Sequence, residues 1–388
     1  MTRIAIIADS HFDESSRFEE CVRIHRWIAD DMRERGVDLV LHAGDVFERK
    51  STPKERSAFA DWLQMVADFA PVVVVRGNHD ALGDLPLFAR LDGAHPIIVE
   101  EAAGVHVVAG VAVGCLAWPR KAELLARLGG EVGHEESEGV AQSALRLVIQ
   151  GLGAEMAAHD GPRVLLTHAM VSGSKTSLGQ PLVGCDLEVG LDDLRLANAD
   201  FYALGHIHMP QEWDGPIVYP GSPRRTTFGE VEDKGYVIVD ADGRNVTWER
   251  VIAPTTPMLL LTGRMADDDC AETGEPIRTV ELDQNPENVE GAEIRLRYTV
   301  QTDEREAARV HAEGWRAQFL QRGAIRVVLE EIPLTTTRAR APEITEAASL
   351  EEKLRTVWLA KADVPDDERA ARLISKAHQL EEEVLHAS

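Results

Sequence analysis

The sequence predicts a layered α/β protein followed by a smaller α/β module and a helical tail. Three observations carry that expectation. The first two-thirds of the 388 residues alternates short apolar runs with helical patterns. The pattern resets near Pro254–Pro257, and after a polar linker the chain ends in two amphipathic stretches. The expected divisions are 1–254, 255–335 and 343–388.

Taken in order, Ile4–Ile7 reads as the first strand. A helix over Ser16–Met32 follows, with Ser16 and Glu19 as a capping box and Phe18, Cys21, Val22, Ile28 and Met32 as its apolar stripe. Val37–Leu41 is the second strand. Thr52 caps the next helix, with Pro53 in its first turn and Glu55 completing the box. Val72–Val75 is a β-branched run too short for a helix, hence a buried strand. Strands are expected at 97–99, 105–109, 111–117, 163–167 and 201–204, with a helix over 141–158. Ile217–Tyr219, Gly235–Val239 and Val246–Ile252 are separated by Gly- and Asp-containing turns, as antiparallel strands are.

In the module, Met258–Leu261 is a strand, and 267–290 is acidic and polar, a helix or a loop. Glu293–Val300 alternates strictly, 304–321 is helical through Val310, Trp315 and Phe319, and Ile325–Ile332 returns to strand. The tail offers a Ser349-to-Glu352 box with Leu350, Leu354, Val357 and Leu359, then a stripe of Ala370, Leu373, Ile374, Ala377, Leu380 and Val384. Two helices joined by Asp363-Val364-Pro365-Asp366 bury little core alone, so they dock on their own chain or on a partner.

The formal net charge is -25, which argues against a wide autonomous nucleic-acid surface, since phosphate contacts draw on local Lys and Arg. Bound metals and a partner protein could still supply positive charge locally. Acidic side chains outnumber basic ones in the tail, which disfavours DNA as its partner. No apolar run reaches bilayer-spanning length, so the expectation is a cytoplasmic protein without a membrane partner. Cys21, Cys115, Cys185 and Cys270 are far apart and read as mostly free thiols.

Five polar clusters each follow a strand-like run: Asp9-Ser10-His11, Gly44-Asp45, Gly77-Asn78-His79-Asp80, Thr167-His168 and Gly205-His206-Ile207-His208. Loops at the carboxyl ends of strands share one sheet edge, so these clusters converge. Each has a bland reading alone, as a turn or a satisfied histidine; jointly they read as a metal centre. Asp9, His11, Asp45, Asn78, His168, His206 and His208 are seven donors, more than one ion requires but suited to two. Oxygen and imidazole donors without thiolate suit Mn, Fe, Zn or Co better than Mg alone. Such ions, about 3.5–4 Å apart, support in-line displacement at phosphorus. Asp45, alone between the two ligand groups, is the expected bridge. His79 is left over, which fits an imidazole at the scissile phosphate; Asp80 either holds its other ring nitrogen or is a core-facing turn-former.

The strings DSH, HAGDVFE, VVVVRGNHD, THAMVSG, ALGHIHMPQ and YPGSPRRTTFGE together resemble the calcineurin-like metallophosphoesterases, and among them the SbcD-type DNA double-strand-break repair exonucleases. The HxPQ string at 208–211 and Tyr219–Glu230 narrow the choice to that subfamily. The resemblance implies a four-layer α/β sandwich with a small α/β capping, DNA-binding domain and a C-terminal helical segment. It also implies two Mn ions, one on Asp9, His11, Asp45 and His208, the other on Asp45, Asn78, His168 and His206. His79 would be the catalytic histidine supported by Asp80. Double-strand exonuclease and single-strand or hairpin endonuclease activity, a homodimer, and docking of the tail on an SbcC-type ABC ATPase follow from the same likeness. One position departs: three residues past Asp45 some members have a histidine near the metals, and this chain has Glu48. Arg224 and Arg225 are candidates for DNA phosphate contact, against a reading as solvated surface arginines.

Two rival functions share these residues. A small-molecule or nucleotide phosphodiesterase would cleave a cyclic nucleotide and leave a DNA hairpin intact, and would need neither module nor tail. A non-catalytic adaptor for an ATPase would use the metals structurally.

Overall fold

The computed structural model describes residues 1–128, 137–177, 187–213, 215–268, 277–334, 349–360 and 366–386. Along the chain, β1 (Thr2–Ile7), α1 (Phe18–Glu34), β2 (Leu39–His42), α2 (Pro53–Ala67), β3 (Val72–Val75) and β4 (Ile97–Glu100) come first. Next come β5 (Ala103–Val108), β6 (Val111–Leu116), α3 (Lys121–Leu128), α4 (Ser137–Met156) and β7 (Arg163–His168). β8 (Met170–Val171), β9 (Glu188–Val189), α5 (Leu191–Arg195), β10 (Phe201–Gly205), β11 (Gln211–Trp213) and β12 (Ile217–Tyr219) follow. Then β13 (Gly235–Asp242) and β14 (Asn245–Ile252) form a hairpin paired antiparallel over its whole length.

These strands build two six-stranded sheets, ordered β14-β13-β1-β2-β3-β4 and β11-β12-β10-β7-β6-β5. Each is parallel at its centre, with antiparallel strands toward an edge. Strand alternation explains the layering. Ile4, Ile6, Leu39, Leu41, Val73 and Val75 of one sheet share a buried cluster with Val113, Cys115, Val164, Leu166 and Ala203 of the other. The opposite faces bury Ala5, Ile7, Val40 and Val72 with α1 and α2, and Leu116, Leu165 and Leu204 with α4. The result is helix, sheet, sheet, helix, the expected four-layer α/β sandwich. At full burial each Val, Leu or Ile among them contributes about 1.5–3 kcal/mol of transfer free energy.

Local chemistry sets the element ends. Thr52 and Glu55 form the expected reciprocal box, and Glu55 also accepts from Glu14 N at 2.8 Å, tying α2 to the loop after β1. The expected Ser16 cap does not form. Asp13 instead takes Ser15 N and Ser15 Oγ, and its main-chain oxygen takes Ser16 N, which closes a turn ahead of the helix. The N-cap is Arg17 at φ 53, without a side-chain cap.

A third sheet has four strands, β16 (Ile277–Leu282), β15 (Met258–Asp268), β17 (Glu293–Gln301) and β18 (Arg326–Leu334), in that spatial order, with α6 (Arg305–Gln321) between the last two in sequence. Part of the 267–290 stretch left open by the sequence is thus β16. The tail holds α7 (Leu350–Ala360) and α8 (Asp367–His386), and Ser349 Oγ accepts from Glu352 N as its box requires. Two compact units divide the chain: Met1–Leu261 with Asn285–Leu296 and Arg316–Val328, and Thr262–Gln284 with Arg297–Trp315 and Leu329–Ser388. Among the described residues no helix is long and apolar enough to cross a membrane. Cys21 and Cys115 are buried free thiols, while Cys185, Cys270 and the Asp363–Pro365 joint lie outside the described residues.

Candidate metal centre

The donors sit at or just past the carboxyl ends of β1, β2, β3, β7 and β10, with His168 the last residue of β7. Strand-end loops are expected at a single sheet edge; the donors come instead from two sheets whose ends meet. Main-chain bonds zip the first two loops together: Asp9 N to Gly44 O, His11 N to Asp45 O and Phe12 N to Val46 O. Asp9 Oδ1 then accepts from His206 N at 2.9 Å, joining the sheets at the site. Asp9, His11, Asp45 and His206 all have positive φ, four of the seven such non-glycine residues described. Each costs on the order of 1–3 kcal/mol, a concentration of strain that marks functional loops.

Among the seven donors two groups lie within 4.8 Å of one another, Asp9 with His11 and His208, and Asp45 with His168 and His206; a third such group joins His11 to Glu48 and His79. Asn78 completes the second: its Oδ1 is 2.8 Å from His168 Nε2 and 3.0 Å from His206 Nδ1. Asp45 stands between the groups, with Oδ2 3.4 Å from His168 Nε2 and 3.8 Å from His11 Nε2. All seven expected donors therefore come together.

These contacts can be tested for fit to a divalent ion. His168 Nδ1 donates to Ala43 O at 2.7 Å, so the Nε2 of a neutral ring turns a lone pair toward Asn78 Oδ1 and Asp45 Oδ2. His11 Nε2 and His208 Nε2 are 3.0 Å apart, while their Nδ1 atoms face the carboxylates of Glu48 and Glu230. The buried Asp9 Oδ2 has no hydrogen-bond partner. With their lone pairs turned inward, acceptors this close repel unless a positive centre stands among them. A divalent cation fits, and the oxygen and nitrogen donors suit one.

The electrostatics agree. Burial would raise the Asp45 carboxyl, but the imidazoles of His168, His11 and His79 outweigh it and hold it well below the usual carboxylate range. Burial disfavours charge on His168, yet Asp45 and Asp9 outweigh it and lift the ring to about 9. Burial, with His168 adding, pushes His206 down to about 3.

His79 lies at the mouth, its side chain one-third exposed, and its Nδ1 donates to Glu48 O at 2.9 Å. Asp80 does not hold that nitrogen. Its Oδ1 accepts from Phe47 N and its Oδ2 from Gly77 N, so it is the buried turn-former, clamping the β2 and β3 loops. Burial and the neighbouring Asp45 raise it to about 6. The two arginines also need correction. Arg224 is 2% exposed and donates through Nη2 to His11 O, with Nε and Nη1 buried and unpaired. Arg225 spends its guanidinium on Glu230 O, Glu232 O and Thr255 Oγ1. Neither is presented to a phosphate, and neither is a solvated surface residue.

Three supporting features stand behind the donors without a role assigned from the sequence. Glu230, fully buried, faces His208 Nδ1 at 3.4 Å and pairs with the fully buried Lys234 Nζ at 2.8 Å. Below β1, His42 Nε2, Ser10 Oγ and His25 Nε2 form a buried chain of 2.8 Å contacts. Trp118 lies with its ring centroid 4.8 Å from that of His206. Only Glu230, inside the Tyr219–Glu230 string, had a local signal.

Residues 2–244, which carry every one of these donors, match the calcineurin-like phosphoesterase superfamily domain. The chain is 28% identical over 272 residues to the SbcD subunit of the SbcCD nuclease of Bacillus subtilis, covering 64% of this chain and 69% of that protein. It is 29% identical over 301 residues to the protein of the same name in Rhodobacter capsulatus, 67% and 71% of the two chains. With the DNA double-strand break repair protein Mre11 of Methanopyrus kandleri it shares 24% identity over 279 residues, 62% of this chain and 54% of that one. The SbcD-like character read from the motifs is therefore present in the sequence at large, and the chain belongs to the calcineurin-like phosphoesterase superfamily.

Proposed function

We propose that this protein is a DNA nuclease working with two divalent ions, most simply Mn2+, in the processing of DNA double-strand breaks. The observation that carries the reading is Asp45, whose carboxylate lies between two donor groups. Asp9, His11 and His208 would hold one ion with it, and Asn78, His168 and His206 the other. When bound, the pair would supply Lewis acidity to phosphate oxygens and a more acidic water for in-line attack.

His79 is assigned to the scissile phosphate or leaving oxygen. Its Nδ1–H is engaged by Glu48 O, which leaves Nε2 for the substrate, and Asp80 keeps its loop in place. DNA as the substrate is supported by the names of the similar proteins, the SbcD subunits of SbcCD nucleases and the DNA double-strand break repair protein Mre11. Double-strand exonuclease and hairpin endonuclease modes, and a homodimer, belong to the same reading. So does a capping domain at 255–335. The 343–388 segment is proposed to dock an SbcC-type ATPase; Leu373 and Leu380, exposed one heptad apart on α8, favour a partner over the chain's own core. With a net charge of -25, that partner would also help to retain DNA.

The test is His79→Ala. Mn-dependent cleavage of a DNA hairpin and a duplex end should fall at least a hundredfold while metal content stays unchanged. Cleavage of a cyclic nucleotide with intact DNA would favour the small-molecule reading instead. Deletion after Pro342 should leave the nuclease active but no longer co-purifying with the ATPase.

A further inference from the structure

Glu48 lies in the loop between β2 and α2, at the position where the resemblance implies that some members of the family have a histidine. Its side chain is 42% exposed, whereas His11 beside it is 4% exposed. Glu48 Oε2 lies 2.7 Å from His11 Nδ1, off the line of an ideal hydrogen bond, and that nitrogen has no other partner. Glu48 Oε1 is 3.6 Å from His79 Nδ1, and the main-chain oxygen of the same residue accepts that nitrogen's proton at 2.9 Å. One residue thus addresses the inward-facing nitrogens of both histidines, whose rings sit edge to face at 5.1 Å.

The consequence comes from imidazole chemistry. A neutral ring carries one N–H and one lone pair, and the acceptor at one nitrogen decides which is which. With Nδ1 facing a carboxylate, His11 keeps its proton there and turns the Nε2 lone pair toward His208 Nε2, 3.0 Å away. His208 is held the same way, its Nδ1 facing Glu230. The two rings therefore point matched lone pairs at one place, with Asp9 and Asp45 beside it. Glu48 is poorly placed to be a ligand there, since it reaches the opposite nitrogen of His11.

We infer that Glu48 is a positioning residue that fixes the His11 tautomer through its carboxylate and anchors His79 through its carbonyl, so pre-forming the Asp9–His11–Asp45–His208 donor group. The inference rests on the metal-centre reading above. Outer partners of metal-binding histidines are typically worth about 10–100-fold in metal affinity.

The experiment compares wild type, Glu48→Ala and Glu48→Gln in the full chain. Long-range 15N–1H spectra of histidine-labelled, metal-free protein read the His11 tautomer, and calorimetric titration with Mn2+ alone reads affinity and stoichiometry. Glu48→Ala should release the fixed Nδ1–H tautomer and weaken one Mn2+ site about 10–100-fold at unchanged stoichiometry. Glu48→Gln keeps an acceptor oxygen and should recover much of both. An unchanged tautomer with affinity within threefold in Glu48→Ala overturns the inference, as do equal losses in the two variants. A lost equivalent of metal also overturns it, because Glu48 would then be a ligand. Absence of Mn2+ binding by wild type would instead remove the metal-centre reading, while the tautomer spectra still decide what Glu48 does.

Discussion

Acidification should unfold this protein through two histidines that touch neither solvent nor the proposed ions. His25 Nδ1 lies 2.8 Å from Cys21 O, so it carries the proton and Nε2 carries the lone pair. His42 Nδ1 accepts from Gly44 N at 3.2 Å, which puts the His42 proton on Nε2, facing Ser10 Oγ. Ser10 then donates its own proton to His25 Nε2. Every site in this chain is assigned: a second proton on His42 would face the Gly44 N–H, and one on His25 would displace the Ser10 proton from its acceptor. Burial accordingly lowers both rings to about 3 from their ordinary value of 6.5.

The sign is set by proton counting. Below about pH 6.5 the unfolded chain protonates both rings and the folded chain neither, so the unfolded state holds more protons and stability falls as pH falls. This stabilisation is complete above 6.5 and is lost as pH drops toward 3. Each ring contributes about 1.4 kcal/mol per pH unit inside that window, or about 2 kcal/mol between pH 6 and 4.5. The assay is urea denaturation of metal-free protein, followed by tryptophan fluorescence; Trp62 lies edge-on to His25 at 5.8 Å. Carboxylates and other histidines also titrate, so the informative quantity is a difference between proteins. His25→Gln should lose about 2 kcal/mol less than wild type over that interval. Identical pH slopes for the two would refute the reasoning, and a steeper slope in the variant would refute it more strongly.

Gly77→Ala should abolish tight Mn2+ binding in calorimetry without unfolding the chain, because a Cβ there would meet Asp45 Oδ1 at 2.1 Å and Asp45 N at 2.3 Å. Glu230→Ala leaves Lys234 buried with its main counter-ion gone, and should cost about 3–5 kcal/mol in chemical denaturation as well as weakening Mn2+ binding at His208. Tyr219→Phe removes the hydroxyl that donates to Ala169 O and accepts from Val171 N; a fall of about 1–3 kcal/mol in unfolding free energy is expected, and an unchanged midpoint would contradict it.

The sequence was most legible where one residue type has one chemical use. Asp9, His11, Asp45, Asn78, His168, His206 and His208 each come after an apolar run, and a strand delivers its next loop to a sheet edge, so convergence could be read without coordinates. The Thr52–Glu55 box was legible for the same reason, its two bonds being local in the chain. Ser16 shows the limit. It has the right spacing to Glu19, but the main-chain oxygen of Asp13, three residues back, takes the Ser16 N–H that Glu19 would have accepted. A capping rule reads forward from its serine and does not see that competitor.

The arginines fail for a deeper reason. Charge at a loop beside a phosphate-binding centre suggests substrate contact, and that inference holds only while the side chain reaches solvent. Arg224 turns inward because His11, at φ 44, leaves its carbonyl oxygen needing a donor in the interior. The strain at the centre is thus supported by distant residues: Arg224 for the His11 carbonyl, Asp80 for the Gly77 and Phe47 amides, Glu230 with Lys234 for His208. Arg224 with His11, Asp80 with Phe47 and Glu230 with His208 are separated by long sequence intervals, so no local pattern reports those pairings. It follows that substitutions at the donors and at these supports should differ in kind. Losing a donor ring such as His11 removes metal binding and relieves acceptor repulsion, whereas Asp9 and Asp45 are supports as well as donors, since they take His206 N and His79 N. Losing a support should cost both metal binding and stability, because it leaves a buried polar group unpaired and frees the loop that aims the donor.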